Sequence, residues 1–284
     1  MANKLNRMNP AMREVTVPID SSASSRSGFE FALELGRKGT ILHFCSVVDA
    51  TNACLGGAVG APIDAGPIIQ EMTLDAQQTC DNAVEAARKA GVEADGKVIF
   101  GSVVQAIARY AREKNNSALV IGTHARTGVP RAILGSIAEG LMQTSCVPVV
   151  VTHTDDAAGN GPITVAVDGT PAAAAALEIA IDLARDQHRC LSILNVVAEG
   201  REGWLAAEPI LDDAGDVARS ADIEFELVTL EGPVADTIIL SAQRQGSPMI
   251  VIGTNGRSDL ARMFLGSVAA AVIERAHVPV TVVQ

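Results

Sequence analysis

No stretch of the 284-residue chain approaches the roughly 20 consecutive apolar residues that a membrane-spanning helix needs. Residues 1–13 lack the apolar core of a signal peptide. A soluble, cytoplasmic protein with no membrane partner is therefore expected. Positive charge is scarce, since 22 Lys and Arg stand against 33 Asp and Glu, a net charge of −11. A field of that sign repels phosphate polymers at long range and argues against nucleic acid as a primary partner. A phosphate ligand would have to be held by local geometry. The five cysteines, Cys45, Cys54, Cys80, Cys146 and Cys190, form no CxxC pair, and the five histidines are scattered. Reduced, mostly buried thiols and no structural zinc are expected. Missing too are a Walker lysine before Ser or Thr and a Ser-Gly-Gly-Asp pyrophosphatase loop.

What is present is a repeat. Shifting residues 118–153 by 131 places them on 249–284, and 14 of the 36 positions are identical, among them Val120, Ile121, Arg126, Arg131, Leu134, Ala138, Val147, Pro148 and Val149. Upstream, Val15 to Asp20 resembles Ile163 to Asp168 at a shift of 148, so the first half carries 17 extra residues before Gly101. The Gly, Ala and Pro-rich segment 50–75 is the expected place. Two domains of about 140 residues follow: residues 1–154, a short polar linker 155–161, and residues 162–284. The linker is short enough that the halves should pack together.

Each half alternates β-branched runs with amphipathic segments. Strands are expected at Val15–Ile19, Ile41–Val48, Val98–Ile99, Ala118–Ile121 and Val147–Val151, then at Ile163–Val167, Leu191–Val197, Phe225–Thr229, Met249–Ile252 and Val278–Val283. Helical stripes at i, i+3, i+4, i+7 run through Val104, Ile107, Ala108 and Ala111, through Leu177, Ala180, Ile181 and Ala184, and through Ala235, Ile238, Ile239 and Ala242. Continuous apolar strands alternating with helices give an α/β fold with a five-stranded parallel sheet per half, Rossmann-like and related by duplication. Ligands of such sheets gather at the carboxyl ends of the strands.

The glycines of the repeat fall there. In the second half Gly253 follows the strand run ending at Ile252, and Gly256, Gly266 and Ser267 come next. Gly256 permits positive φ or close approach to a ligand. Gly266 and Ser267 open a helix to about Arg275, whose free N–H groups and dipole can hold phosphate oxygens. In the first half Ile121, Gly122, Gly135 and Ser136 keep this order, but Ala125 stands where Gly256 does. Arg126, Arg131, Arg257 and Arg262 flank the loops, either to neutralise phosphate or as solvated arginines. His124 aligns with Asn255, so it is no shared base.

This pattern of Gly, two residues, Gly, nine residues, Gly and Ser or Thr, with an aspartate closing the first strand, resembles the universal stress protein family in its tandem form. The resemblance covers nearly the whole chain. It implies a five-stranded parallel α/β sandwich of the adenine nucleotide alpha hydrolase type in each half, and a stress-response regulator binding ATP, AMP or ADP, with Mg²⁺ as a possible companion of unassigned site. By position it gives Asp168 a ribose contact, Val196 an adenine contact, and places Gly253, Gly256, Gly266, Ser267 and Val268 around the phosphates. The matching first-half set is Asp20, Val47, Gly122, Ala125, Gly135, Ser136 and Ile137, weakened by the alanine. Asp20 and Asp168 also suit helix N-capping, and Val196 plain strand core. No catalytic residue is evident; slow ATP hydrolysis and a nucleotide-free interaction protein are the alternatives. Family members commonly pair the last strands of their sheets, so Val147–Val151 and Val278–Val283 are expected to pair within the chain as a pseudo-dimer, with a homodimer and an unknown protein partner left open.

Overall fold

The computed structural model describes residues 12–51, 65–114, 117–123, 135–153, 156, 159–254 and 265–284. The chain divides into two compact units, one on residues 14–128 and 133–154, the other chiefly on 155–284. In the first, the order is β1 (Glu14–Pro18), α1 (Ala23–Arg37), β2 (Ile41–Val48), α2 (Gly66–Lys89), β3 (Ala94–Phe100), α3 (Val103–Glu113), β4 (Ala118–Gly122), α4 (Ser136–Thr144) and β5 (Val149–Thr152). The second repeats it with β6 (Ile163–Ala166), α5 (Pro171–Gln187), β7 (Leu191–Val197), α6 (Arg201–Ser220), β8 (Phe225–Glu231), α7 (Val234–Gln245), β9 (Ile250–Gly253), α8 (Ser267–Arg275) and β10 (Val280–Val283). Within each unit the described strands pair in parallel, in the orders β3-β2-β1-β4-β5 and β8-β7-β6-β9-β10. The expected α/β architecture is the one observed.

Residues 49–93 join β2 to β3 where residues 198–224 join β7 to β8, so the surplus of the first half falls in this crossover. Residues 52–64 of it, with Cys54, lie outside the described residues. The inner strands β1, β4, β6 and β9 are buried nearly end to end, as parallel strands covered on both faces must be. The outer strands β3 and β8 are longer than their apolar patches imply and largely exposed, because each pairs on one side only among the described residues.

Helix α5 buries Leu177, Ala180, Ile181 and Ala184, the stripe the spacing predicts. In α3 the buried set is Ala106, Ile107, Tyr110 and Ala111, so the core face is rotated from the expected one and Ala108 sits at its margin. Helix α7 buries Ile238, Ser241 and Ala242. Polar or aromatic residues on the true face (Ser241, Tyr110) disguised both stripes. The thiol expectation holds for Cys45 and Cys80, which are buried, and fails for Cys146 and Cys190, which are exposed near strand starts.

At the amino ends of the first unit's strands His43 of β2 is clamped between two carboxylates. Its Nδ1 lies 2.8 Å from Asp95 Oδ1 and its Nε2 3.2 Å from Glu14 Oε2, while Lys114 Nζ reaches Asp95 Oδ2 at 2.9 Å. The second unit has Ser192 in register with Glu226 at this place, and Gln245 Nε2 donates to Glu226 at 2.6 Å.

Candidate functional site

From β1 the chain winds outward through β2 to β3 and then crosses to β4 on the other side, and β6 and β9 stand in the same relation. Such a reversal parts the carboxyl ends of the two central strands and leaves a crevice above them. Each unit has one there. In the second it is a cavity of about 260 Å³, and in the first about 400 Å³.

Asp168, Val196, Ile252, Gly253, Gly266, Ser267 and Val268 all line the second cavity. Asp20, Val47, Ile121, Gly122, Gly135, Ser136 and Ile137 all line the first. Gly256, Ala125 and the four loop arginines lie outside the described residues. Val47 and Val196 are half-buried at strand ends with a face on the cavity, rather than in the strand core.

The two aspartates are placed by the helix that follows. Ser22 and Thr170 are the N-caps of α1 and α5, accepting from Ser25 N–H at 3.2 Å and Ala173 N–H at 3.3 Å. Each cap hydroxyl in turn donates to the aspartate two residues back, at 2.5 Å in the first unit and 2.6 Å in the second, and its own N–H donates to the same Oδ1 at 3.0 Å. Asp20 and Asp168 thus do not cap; they orient the cap with one oxygen. Both are exposed, and Oδ2 of each has no partner among the described residues. One acceptor is anchored and the other stays available to a hydroxyl donor.

The first glycine of each motif answers a packing demand. A Cβ on Gly253 would lie 2.7 Å from Ala172 C and 2.8 Å from its carbonyl oxygen, and one on Gly122 would lie 1.8 Å from Ser24 O. Strand end and helix start meet backbone to backbone, which only glycine allows. The third glycine differs between units. Gly266 N–H donates to Thr254 O at 2.8 Å, and a Cβ there would sit 2.5 Å from that oxygen, so the start of α8 is latched to the end of β9. A Cβ on Gly135 would meet nothing within 4 Å among the described residues.

Helices α4 and α8 begin at Ser136 and Ser267, as the repeat predicts, and neither has a side-chain cap. Among the described residues no side chain accepts from their first N–H groups, which stand at the crevice end with the positive end of the dipole. Glu139 occupies the first turn of α4, and α8 has no acidic residue there. Sequence reasoning missed Thr254 and Thr123, although both follow the motif glycine in the repeat. Thr254 is buried on the cavity wall with its Oγ1 unpartnered among the described residues, whereas Thr123 Oγ1 donates to Thr152 O at 3.5 Å. It missed as well Val234 and Ile238, and their counterparts Val103 and Ile107, which give each cavity an apolar wall. Cys45 lines the first cavity, but burial, with Cys80 nearby, pushes its thiol far up and keeps it protonated.

A model of the universal stress protein family matches residues 12–153 and again 159–284. The chain belongs to the universal stress protein family, in tandem form. A universal stress protein of Mycobacterium tuberculosis is 28% identical over 234 residues, covering 76% of each chain. One of Mycolicibacterium smegmatis is 26% identical and covers 95% of this chain and 96% of its own. Among solved structures, a universal stress protein from Archaeoglobus fulgidus superposes with a TM-score of 0.79 at 23% identity, over 96% of this chain and 98% of that one. Among the described residues no helix is long and apolar enough to cross a membrane, and no three His, Cys, Asp or Glu side chains converge as metal ligands.

Proposed function

We propose that this universal stress protein is a cytoplasmic regulator that binds ATP or a related adenine nucleotide in its second unit, and whose occupancy sets its conformation or choice of partner. The observation that carries the reading is the composition of the second crevice. An apolar slot between Val196, Val234 and Ile238 suits a flat base, the free Oδ2 of Asp168 suits ribose hydroxyls, and the uncapped start of α8 with Ser267 suits phosphate oxygens. The buried Thr254 hydroxyl, without a partner among the described residues, is a group whose desolvation a ligand would offset. Residues Gly256, Gly253, Gly266 and Val268 complete the set that the family motif assigns to the phosphates.

The first unit takes the lesser role. Ala125 replaces the motif glycine, Glu139 opposes an anion at the start of α4, and the Gly266 latch has no counterpart at Gly135. Mg²⁺ fits only as a companion of the phosphates, held by their oxygens and water, since no cage of protein carboxylates is at hand among the described residues. No described side chain in the second crevice is placed as both nucleophile and base, so at most slow hydrolysis is expected.

Absorbance and mass spectrometry of nucleotide released from the purified protein test the reading. Adenine nucleotide bound to protein, and lost when Ser267 and Gly266 are both changed to Val, is the expected result. Several turnovers per minute in an ATPase assay, abolished by Ser267→Ala, would replace regulation with catalysis.

A further inference from the structure

The outer layer of the second unit carries a groove that shares no lining residue with the crevice. It lies between α6 and the exposed strand β8, has a volume of about 480 Å³, and is lined by Arg201, Trp204, Leu205, Glu208, Asp212 and Leu227 among others. Trp204, the chain's only tryptophan, is 46% exposed, Leu205 59% and Leu227 39%. Apolar side chains concentrated in this way on a polar surface mark a contact site.

The matching strand position of the first unit is packed differently. There Gly96 of β3 lets α2 settle onto the strand, with a Cβ at that position only 3.0 Å from Val84 Cγ2 and 3.2 Å from Cys80 Cβ. In the second unit Leu227 takes the place of Gly96 and presents its side chain to the groove. Trp204 is braced open by its Nε1–H, which donates to Glu231 Oε2 at 3.3 Å.

Three features specify the occupant. β8 pairs with β7 alone among the described residues, so its other edge offers unpaired backbone groups to an extended chain. Pro209 inside α6 cannot supply the N–H that would close on the Leu205 carbonyl, which leaves an acceptor beside the groove. Glu208 and Asp212 are exposed carboxylates without a partner among the described residues, and Glu226 and Glu231 stand on the strand itself. A second copy of this chain would set those strand glutamates against each other. A cationic strand would meet complementary charge.

We propose that the α6–β8 groove docks an extended, lysine- or arginine-rich segment of a partner protein, which adds a strand to β8 and buries an apolar side chain against Trp204, Leu205 and Leu227. The test uses the fluorescence of Trp204 in the full chain, titrated with an extended hexapeptide alternating lysine and leucine, and with its glutamate-for-lysine counterpart. The lysine peptide is expected to shift the emission to the blue saturably, and the glutamate peptide to leave it unchanged. Glu208→Lys with Asp212→Lys should weaken binding about tenfold, and Leu205→Ser should weaken it while leaving the far-ultraviolet circular dichroism unchanged. Reversing Glu30 and Glu34 of α1 should have no such effect. Equal response to both peptides, equal loss from the α1 reversal, no response, or a concentration-dependent dimer that Leu205→Ser dissociates would each overturn the proposal.

Discussion

In the first unit Val84 of α2 lies over Gly96 of β3; in the second, Gly215 of α6 lies against Phe225 and Leu227 of β8, where a Cβ would stand 3.3 to 3.5 Å from their side chains. The large and small partners have changed sides of one interface, and the fold is kept because the filled volume is nearly conserved. At Gly122 and Gly253 no such exchange is open, since the neighbour is backbone rather than a side chain that could shrink. Duplicated units therefore diverge where side chain meets side chain and agree where backbone meets backbone. The crevices fall between these cases: their frame is shared, and their details at Gly135 and Gly266, Thr123 and Thr254, and Glu139 are not.

The largest test of that contrast is Gly122→Val beside Gly253→Val. Both should unfold their unit at lower urea, by about 3 kcal/mol or more, with Gly122 the worse because its added carbon would lie 1.8 Å from an oxygen and that of Gly253 2.7 Å from a carbon. Equal tolerance of both would mean that the backbone contacts are not what keeps these glycines. Next comes the latch. Gly266→Ala should weaken adenine nucleotide binding about tenfold, near 1.4 kcal/mol, as read by calorimetric titration, while Gly135→Ala leaves both binding and melting temperature close to wild type.

The opposite edge of the sheet separates the units by pH. Burial raises the Asp95 pKa, but hydrogen bonds and charge from Lys114 and His43 outweigh it and hold the group below its ordinary value. A depressed carboxyl stabilises the fold above its unfolded pKa and loses that contribution as pH falls through the folded one. Asp95→Asn should therefore cost about 1 kcal/mol at neutral pH and almost nothing in strong acid, in urea melts followed at both pH values. The smallest effect is electrostatic. Glu139→Gln should favour nucleotide in the first crevice by about 0.3 to 1 kcal/mol and Ala270→Glu disfavour it in the second by as much, both at low salt.

Much of this was legible in the sequence. The repeat gave five strands per unit in chain order, the helix starts at Ser136 and Ser267, and the cavity membership of every motif residue that is described. Periodicity misplaced the core faces of α3 and α7, because Tyr110 and Ser241 do not look apolar, and α1, α2 and α6 went unnamed for want of a clear stripe. It shortened β3 to Val98–Ile99 because an exposed edge strand holds polar residues such as Asp95 and Lys97. Nor can spacing say all of why a glycine is there: Gly253 reads as a ligand contact, and the Ala172 backbone packed against it is a second demand that only the structure reveals. The role of Thr254 was hidden for the same reason, since an unpaired hydroxyl is a property of surroundings and not of a motif.

We propose that the duplicated crevices are unequal, with the nucleotide in the second. The nucleotide content of purified full-length protein, measured as adenine released per chain beside the Gly256→Ala and Ala125→Gly variants, tests it directly. About one adenine nucleotide per chain, falling with Gly256→Ala and rising towards two with Ala125→Gly, is the predicted result. No bound nucleotide, or one that Gly256→Ala leaves in place, would contradict it.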